Sequence, residues 1–290
     1  MLHVKNLRKE YNDFLLKDIS FDIEEGDVVG FVGQNGAGKS TTMKLILNML
    51  KKDGGDIEIF GLDHMKHEEE IKDRIGFVFD SNYFYEDLRI DESVQFFSAF
   101  YEKWDNQLIN YYLQTFELNP KKKIKELSKG MKMKFALAVS LSHDADFYLM
   151  DEASTGLDPL SREQLLDIIL EINKTKNKTF LFSSHIISDI EKIANKIIFI
   201  HDGEIIMNGT KKEIKERFYS VKGNLEDFHE KVAELSVGYK KWEDFFVGLI
   251  SKEHKPVFEE MNLQIEPASL EDIIIFHTRG KSNEKTFEII

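Results

Sequence analysis

The sequence contains no cysteine, which excludes disulfide bonds and thiol chemistry. It also lacks an uninterrupted apolar run of about 18 residues, and its amino terminus has no apolar signal region, so we expect a cytosolic chain that does not span a membrane. Basic residues are outnumbered: 39 Lys and Arg stand against 52 Asp and Glu, for a formal net charge of −13. This balance disfavours broad nonspecific binding to nucleic acid or anionic lipid, so we expect no nucleic-acid partner.

The rest of the composition is typical of a globular protein. Hydrophobic residues make up 42% of the 290 positions and charged residues 31%, enough for a sizeable core and a solvated surface. The length suits one large domain and a smaller one.

One glycine-rich stretch organises the chain. Residues 33–40 read Gly-Gln-Asn-Gly-Ala-Gly-Lys-Ser and match the phosphate-binding pattern G-x-x-x-x-G-K-[ST] at every fixed position. The apolar run 28–32 before it predicts a buried strand, and residues 41–50 after it predict a helix. Backbone N–H groups of such a loop surround phosphate oxygens, and the helix dipole adds positive potential. We expect Lys39 to contact the β- and γ-phosphates and Ser40 to ligate Mg²⁺.

Two acidic residues follow a second apolar strand. Residues 147–150 lead into Asp151 and Glu152, which places both acids at the carboxyl end of a strand, where ligands bind in open α/β sheets. Successive residues point to opposite sides, so Asp151 can face Mg²⁺ while Glu152 faces a water near the γ-phosphate. His185 lies just past strand 179–183, where a structural role and a role at the phosphate site are equally favoured.

Two further features remain ambiguous from the residues alone. Tyr11 precedes a turn upstream of the glycine loop, where it could stack on an adenine ring or serve as a half-buried strand aromatic. Ser128 and Gly130 open an apolar helix, and they fit both ordinary capping residues and an anion site.

Taken together, in this order and with these gaps, the motifs resemble those of ABC-type ATPases, the nucleotide-binding halves of ABC transporters. The resemblance covers residues 1–215 and leaves 216–290 as a C-terminal accessory domain. It implies an α/β fold: a P-loop NTPase of ABC type with an antiparallel β-subdomain, a helical subdomain at about 82–145 and a small C-terminal α+β extension. It also implies hydrolysis of ATP with Mg²⁺ as cofactor.

The resemblance assigns a role to each matching position. Glu152 polarises the attacking water, His185 senses the γ-phosphate, and Lys39 completes the catalytic set. The implied ATP contacts are Tyr11, Gly33, Asn35, Gly36, Ala37, Gly38, Lys39, Ser40, Thr41, Ser128, Gly130 and Asp158. The implied Mg²⁺ contacts are Ser40, Asp80 and Asp151.

Three positions depart from the family pattern. Asp80 stands where the family has glutamine; an aspartate can still ligate Mg²⁺, but it is shorter and charged. Lys129 and Met131 replace glycine and glutamine of the signature L-S-G-G-Q. Lys129 would either add charge near the γ-phosphate or point to solvent, and slow or asymmetric hydrolysis stays an open alternative.

The tail, including residues 268–272, resembles the tails of bacterial ABC-2-type exporter ATPases of the bacitracin-resistance group. The chain also resembles, less closely, the ATPase of a staphylococcal exporter of phenol-soluble modulins, which are amphipathic cytolytic peptides. The resemblance to ABC-type ATPases implies a head-to-tail cassette dimer, in which the chain pairs with a second copy of itself or with a sibling ATPase. The dimer would sit peripherally on the cytoplasmic face of the membrane and drive a separate integral membrane permease that exports a peptide or an amphipathic toxic compound. The permease contact is expected near Tyr83, Phe84 and Tyr85, with packing inside the helical subdomain an equally favoured alternative.

Two alternatives to the exporter remain: a soluble ABC ATPase acting on ribosomes or nucleic acid, and an ATP-sensing module that barely hydrolyses ATP.

Helical spacing predicts that Phe96, Phe97 and Phe100 lie in the core. In the tail we expect helical stretches at 225–235 and 242–250, a strand near 263–265, and a last helix that begins with a capping box at Ser269.

Overall fold

The computed structural model describes residues 1–80 and 84–279. The chain divides into two compact units, the first from Met1 to Asn208 and the second from Gly209 onward. The first unit therefore ends before residue 215, the limit expected from the sequence. Among the described residues, no helix combines the length and the apolar character needed to cross a bilayer.

Two sheets and their helices build the first unit. Its strands are β1 (Leu2–Glu10), β2 (Leu15–Ile23), β3 (Val28–Val32), β4 (Gly54–Ile59), β5 (Leu62–Asp63), β6 (Ile75–Val78), β7 (Phe147–Asp151), β8 (Thr179–Ser183), β9 (Lys196–His201) and β10 (Glu204–Thr210). Its helices are α1 (Lys39–Ile46), α2 (Glu68–Asp73), α3 (Ile90–Ser98), α4 (Asn106–Thr115), α5 (Lys129–Ser140), α6 (Pro159–Lys176) and α7 (Ile187–Ile193), with a 3-10 turn at Ile124–Glu126.

The first sheet is the antiparallel β-subdomain expected from the sequence. Its strand order is β2-β1-β4-β5, with β1 antiparallel to both β2 and β4. Along β1 the residues Leu2, Val4 and Leu7 are buried while their neighbours face solvent. This alternation packs one face of the sheet against the core and leaves the other hydrated.

The second sheet carries the site. Its order is β10-β9-β3-β8-β7-β6, and β3 runs parallel to β8, which runs parallel to β7. Every residue of β3, β7 and β8 is buried, as expected for parallel strands covered on both faces. Because these three strands are parallel neighbours, their carboxyl ends meet at one edge of the sheet.

The helices between β6 and β7 correct one expectation. Phe96 and Phe100 are 38% and 64% exposed, so their predicted core position is wrong. Helix α3 buries only Ile90 and Ser93, and Phe97 is half-buried, with its ring 5.8 Å from that of Phe84. The ring of Phe96 lies 5.1 Å from that of Phe100, which follows the helix. Helical spacing shows that residues share a face, but not that the face is covered.

The second unit is an antiparallel sheet with short helices. Its strands are β11 (Phe218–Asn224), β12 (Ser236–Lys241), β13 (Phe245–Ser251) and β14 (Gln264–Pro267), in the order β12-β13-β11-β14. Its helices are α8 (Lys211–Glu216), α9 (Glu230–Leu235), α10 (Lys255–Glu260) and α11 (Leu270–Arg279), with 3-10 turns at Leu225–Asp227 and Lys252–His254.

The structure corrects the expectation of a helix at 242–250. Residues Phe245–Ser251 form a central strand that pairs with both β11 and β12. Phe246 and Ile250 are fully buried in the core of this unit, together with Val221 and Phe258. The phenylalanine, valine and isoleucine residues of this segment favour a strand and Gly248 disfavours a helix, so the local sequence agrees with the observed pairing. Ser269 caps α11, since its hydroxyl accepts a hydrogen bond from the Asp272 N–H and donates one to the Asp272 carboxylate.

Candidate functional site

The glycine loop is the short connection between β3 and α1. Gly38 caps the helix with a φ of 113°, a left-handed conformation that favours glycine. The side chain of Ala37 is buried in the core, so this residue offers its backbone only. The loop therefore presents N–H groups and the start of a helix to one space, the arrangement that binds phosphate.

The Lys39 side chain folds back against the glycine loop and hydrogen-bonds to its backbone. Its ammonium donates to the carbonyl oxygens of Gly33 and Gln34, at 2.7 and 3.1 Å. The side chain is 5% exposed, and its Nζ lies 3.8 Å from Oε1 of Glu152. Burial lowers the pKa of Lys39, while the nearby carboxylates of Glu152 and Asp151 oppose that shift.

The two acids after β7 are oriented differently by the neighbouring strand. The Ser183 hydroxyl donates to Oδ1 of Asp151 at 2.6 Å, which fixes that carboxylate against β8. The backbone N–H of Glu152 donates to the same hydroxyl at 3.0 Å. Glu152 then turns away with a φ of 53°, so its carboxylate points toward Lys39 instead of along the strand.

The two oxygens of the Glu152 carboxylate differ in their contacts: Oε2 accepts hydrogen bonds, whereas Oε1 lies 3.8 Å from the Lys39 ammonium. Oε2 lies 2.6 Å from Nδ1 of His185 and accepts a hydrogen bond from the Thr155 hydroxyl at 2.8 Å. Oε1 is buried, and no described residue donates a hydrogen bond to it. A buried acceptor that receives no hydrogen bond is costly in a folded protein, so Oε1 is suited to accept one from a bound water.

A cleft of about 540 Å³ connects Tyr11 to the glycine loop. The residues that line it include Asn35, Gly36, Gly38, Lys39, Ser40, Thr41 and Glu152. Tyr11 is 43% exposed, and its ring is tilted against that of Phe14. The volume and the convergent polar groups are those of a small-molecule site, and an exposed aromatic at one end can accept a stacked base.

A second cleft, of about 490 Å³, brings together the three predicted metal ligands. Ser40, Asp80 and Asp151 all line it, and Ser40 also lines the first cleft. A hydroxyl and two carboxylates are hard oxygen donors of the kind that Mg²⁺ binds alongside substrate phosphates. The residues present therefore fit a magnesium ion.

Asp80 has a further partner that the sequence did not predict. The Lys129 ammonium donates to its Oδ1 at 2.9 Å, so Lys129 contacts this carboxylate instead of pointing freely to solvent. The two side chains are 66% and 45% exposed.

The structure does not bring Ser128, Gly130 or Asp158 to the lining of either cleft. Ser128 caps α5, and its hydroxyl accepts from the Met131 N–H at 3.2 Å. Asp158 caps α6, where hydrogen bonds from Ser161 and the nearby Lys134 ammonium hold the pKa of its carboxyl well below its usual range. These residues lie in segments adjoining the clefts and would need another surface to contact a nucleotide.

Sequence reasoning missed Ser183 and Thr155, which hold the two acids. Thr155 lies in the loop that follows Glu152, and Ser183 ends the strand before His185. The signal for Ser183 was the predicted parallel sheet, because a residue that ends a neighbouring strand lies level with Asp151.

The aromatic residues before α3 were expected either at a permease contact or packed inside the helical subdomain, and the described ones differ in their exposure. Tyr83 lies outside the described residues. Phe84 packs inward, with its ring 5.0 Å from that of the buried Phe135. Tyr85 is 63% exposed and contacts Phe96 edge to face.

Comparison with known proteins places these features in a family context. The ABC transporter family model matches residues 16–155. NatA of Bacillus subtilis, an ABC transporter ATP-binding protein, is 35% identical over 207 residues, which cover 69% of this chain and 84% of NatA. BcrA of Bacillus licheniformis, a bacitracin transport ATP-binding protein, is 32% identical, with coverage of 69% and 66%. A dimeric, post-hydrolysis structure of the ATP-binding cassette MJ0796 bound to ADP and Pi superposes with a TM-score of 0.65 at 25% identity, covering 72% of this chain and 98% of that one.

Proposed function

The chain belongs to the family of ABC transporter ATP-binding proteins and is an ATPase, and we propose that it drives an exporter. The predicted fold class and ATPase activity are confirmed by these similarities. The chain is the nucleotide-binding subunit of a transporter. One observation carries the proposed mechanism: the buried Oε1 of Glu152, which faces Lys39 and has no donor among the described residues.

The glycine loop and Tyr11 would bind ATP from its two ends. The adenine stacks on the exposed Tyr11 ring, and the triphosphate enters the loop. Lys39 then exchanges the carbonyl oxygens of Gly33 and Gln34 for phosphate oxygens, because an ammonium prefers a charged acceptor to a neutral one. Ser40, Asp80 and Asp151 would hold Mg²⁺, which neutralises phosphate charge when bound.

Hydrolysis would use Glu152 as the group that orients and deprotonates water. Oε1 accepts the proton, while His185 and Thr155 keep Oε2 fixed. His185, with half of its side chain exposed, can contact both Glu152 and the γ-phosphate. Binding of the γ-phosphate would thus act on the Glu152 carboxylate through its contact with His185.

The proposed partners are a second cassette and a membrane permease. The dimeric state of the MJ0796 cassette supports pairing, and pairing would bring Ser128, Gly130 and Asp158 to a nucleotide held by the other cassette. The second cassette would be a copy of this chain or a sibling ATPase. Exposed aromatics at Tyr85 and Phe100 support a protein contact on the helical subdomain, which would hold the chain at the cytoplasmic face of the membrane.

Export of a peptide or an amphipathic toxic compound is the proposed task. The similarity to BcrA, a bacitracin transport ATP-binding protein, supports this class of cargo. The permease would select the cargo.

A pull-down from detergent-solubilised membranes of the native host tests the proposal. The tagged chain should recover a multi-span membrane protein in stoichiometric amount. Tyr85→Ser and Phe100→Ser should reduce that recovery, whereas Tyr111→Ser, which alters a 54% exposed tyrosine on α4, should not. Recovery with ribosomes, or with no membrane protein, would contradict the exporter.

A further inference from the structure

A buried carboxylate outside both clefts is held by two neighbours. Asp189, on α7, is 1% exposed. The Ser154 hydroxyl donates to its Oδ2 at 2.8 Å, and Nε of Arg162 donates to its Oδ1 at 2.6 Å. A second guanidinium nitrogen of Arg162 also contacts Oδ1. We call these three side chains the Asp189 unit.

The three side chains of the Asp189 unit come from three different segments of the chain: the loop after β7, the start of α6, and α7. Ser154 lies in the loop after β7, directly before Thr155. Arg162 lies in the first turn of α6, and Asp189 lies on α7, which follows the segment that carries His185. Separating the buried Asp189 carboxylate from Ser154 and from the partly exposed Arg162 would leave a buried charge uncompensated, so these segments are held to one another.

Both contacts to Oε2 of Glu152 come from segments that the Asp189 unit joins. Thr155 reaches Oε2 from the loop after β7, and His185 reaches it from the segment before α7. Glu152 itself has a φ of 53°, a conformation that non-glycine residues adopt only when their surroundings impose it. Asp189 does not touch the Glu152 carboxylate and would act through these two neighbours.

We propose that Asp189 is a positioning residue for Glu152, which keeps Oε1 aimed at the attacking water by fixing the Thr155 and His185 segments together. The inference rests on the proposed role of Glu152 as the base. A loss of Asp189 or Ser154 would leave the glycine loop and Tyr11 in place, so ATP would still bind. It would let the Glu152 carboxylate move, and misplacement of a reacting group by about 1 Å can slow chemistry about a hundredfold.

The test compares two variants with two matched controls in the full-length chain. Ser154→Ala removes one buried hydroxyl, and Ser142→Ala removes another, whose hydroxyl donates to the Ala138 carbonyl at 2.6 Å. Asp189→Asn removes a paired carboxylate, and Asp146→Asn removes one paired with Arg74 and Lys178 just before β7 starts. Turnover is measured by phosphate release, and ATP affinity by equilibrium binding.

Ser154→Ala and Asp189→Asn should lower kcat about ten- to a hundredfold while the Kd for ATP changes less than about twofold. Both controls should keep kcat within about twofold of the parent chain. In a Glu152→Gln background, Ser154→Ala and Asp189→Asn should cause no further loss, since a positioning residue has nothing left to position.

Two results would overturn the inference. One is a kcat for Ser154→Ala that equals that of Ser142→Ala. The other is an equal loss with and without Glu152→Gln, which indicates a general structural effect. If Asp189→Asn does not fold, Ser154→Ala decides the matter alone. A Glu152→Gln chain with native turnover would instead contradict the proposed role of Glu152, and the two failures are therefore distinct.

Discussion

The ammonium of Lys129 donates a hydrogen bond to Oδ1 of Asp80 across 2.9 Å, joining the first residue of α5 to the segment after β6. These are two of the three positions at which the chain departs from the family pattern, so two departures contact each other. Exposed ion pairs of this kind contribute about 0–1 kcal/mol to folding. The pair matters more for the proposed magnesium site than for folding, because Asp80 lines the same cleft as Ser40 and Asp151.

Substitutions in this pair should have opposite effects on magnesium. Asp80→Asn removes a charged oxygen donor and should raise the Mg²⁺ concentration for half-maximal turnover several-fold. Lys129→Gln removes a cation that competes for the same carboxylate and should lower that concentration. A magnesium titration of phosphate release measures both. Lys121→Gln is the control, because Lys121 pairs with Asp91 at 2.8 Å on the surface. Shifts in the same direction would contradict the shared carboxylate.

Glu152→Gln should reduce turnover at least about a hundredfold, the usual contribution of a general base, while ATP still binds. The amide keeps the shape of the side chain but cannot accept a proton from water. Phosphate release and equilibrium ATP binding are measured on one preparation. Glu171→Gln, on the exposed face of α6, serves as control. Unchanged ATPase activity would remove Glu152 from the mechanism.

Gly130→Ala should impair the chain because the structure has no room for the methyl group. A Cβ at Gly130 would lie 2.7 Å from the carbonyl oxygen of Gly156, so backbone would have to move. We expect a loss of about 1–3 kcal/mol in unfolding free energy, the usual range for overpacking, together with lower turnover. Denaturant titration measures the unfolding free energy, and phosphate release measures turnover. In Gly54→Ala the added atom would meet only Arg8 at 3.5 Å, so an equal cost there would argue against the steric account.

His143→Gln should make stability less sensitive to acid. Burial lowers the pKa of His143 below its ordinary 6.5, although its contact with the Ile75 carbonyl opposes the shift. Below pH 6.5 the unfolded chain therefore binds a proton that the folded chain does not, and unfolding free energy falls as pH falls. One such group contributes a slope of up to about 1.4 kcal/mol per pH unit.

The measurement is unfolding free energy between about pH 5 and pH 7.5 for both proteins. The variant should show a shallower decline on the acid side. Some decline should remain, because burial also lowers the pKa of His64 and His277. Parallel curves for the two proteins would contradict the assignment to His143.

The placement of Lys39, Asp151 and Glu152 at one edge of the sheet was predictable because it depends on local rules, whereas the residues alone did not decide the role of His185. A glycine pattern determines a phosphate loop, and apolar runs determine buried parallel strands whose carboxyl ends share an edge. The exposure of Phe96 and Phe100 was not predictable in this way, since helical spacing is the same for a covered face and an open one. The strand at Phe245–Ser251 was predictable from its aromatic and β-branched residues, and the structure adds only its pairing with β11 and β12.

By itself, then, the sequence determined the family, the ATPase chemistry and the residues at the loop and strand ends, all of which follow from short-range patterns. Only the tertiary structure decided which distant side chains contact each other. Lys129 meets Asp80, and Asp189 meets Ser154 and Arg162, although long stretches of chain separate them. A hydrogen bond requires two atoms to lie about 3 Å apart, and no periodicity along a chain specifies that distance between segments joined only by packing.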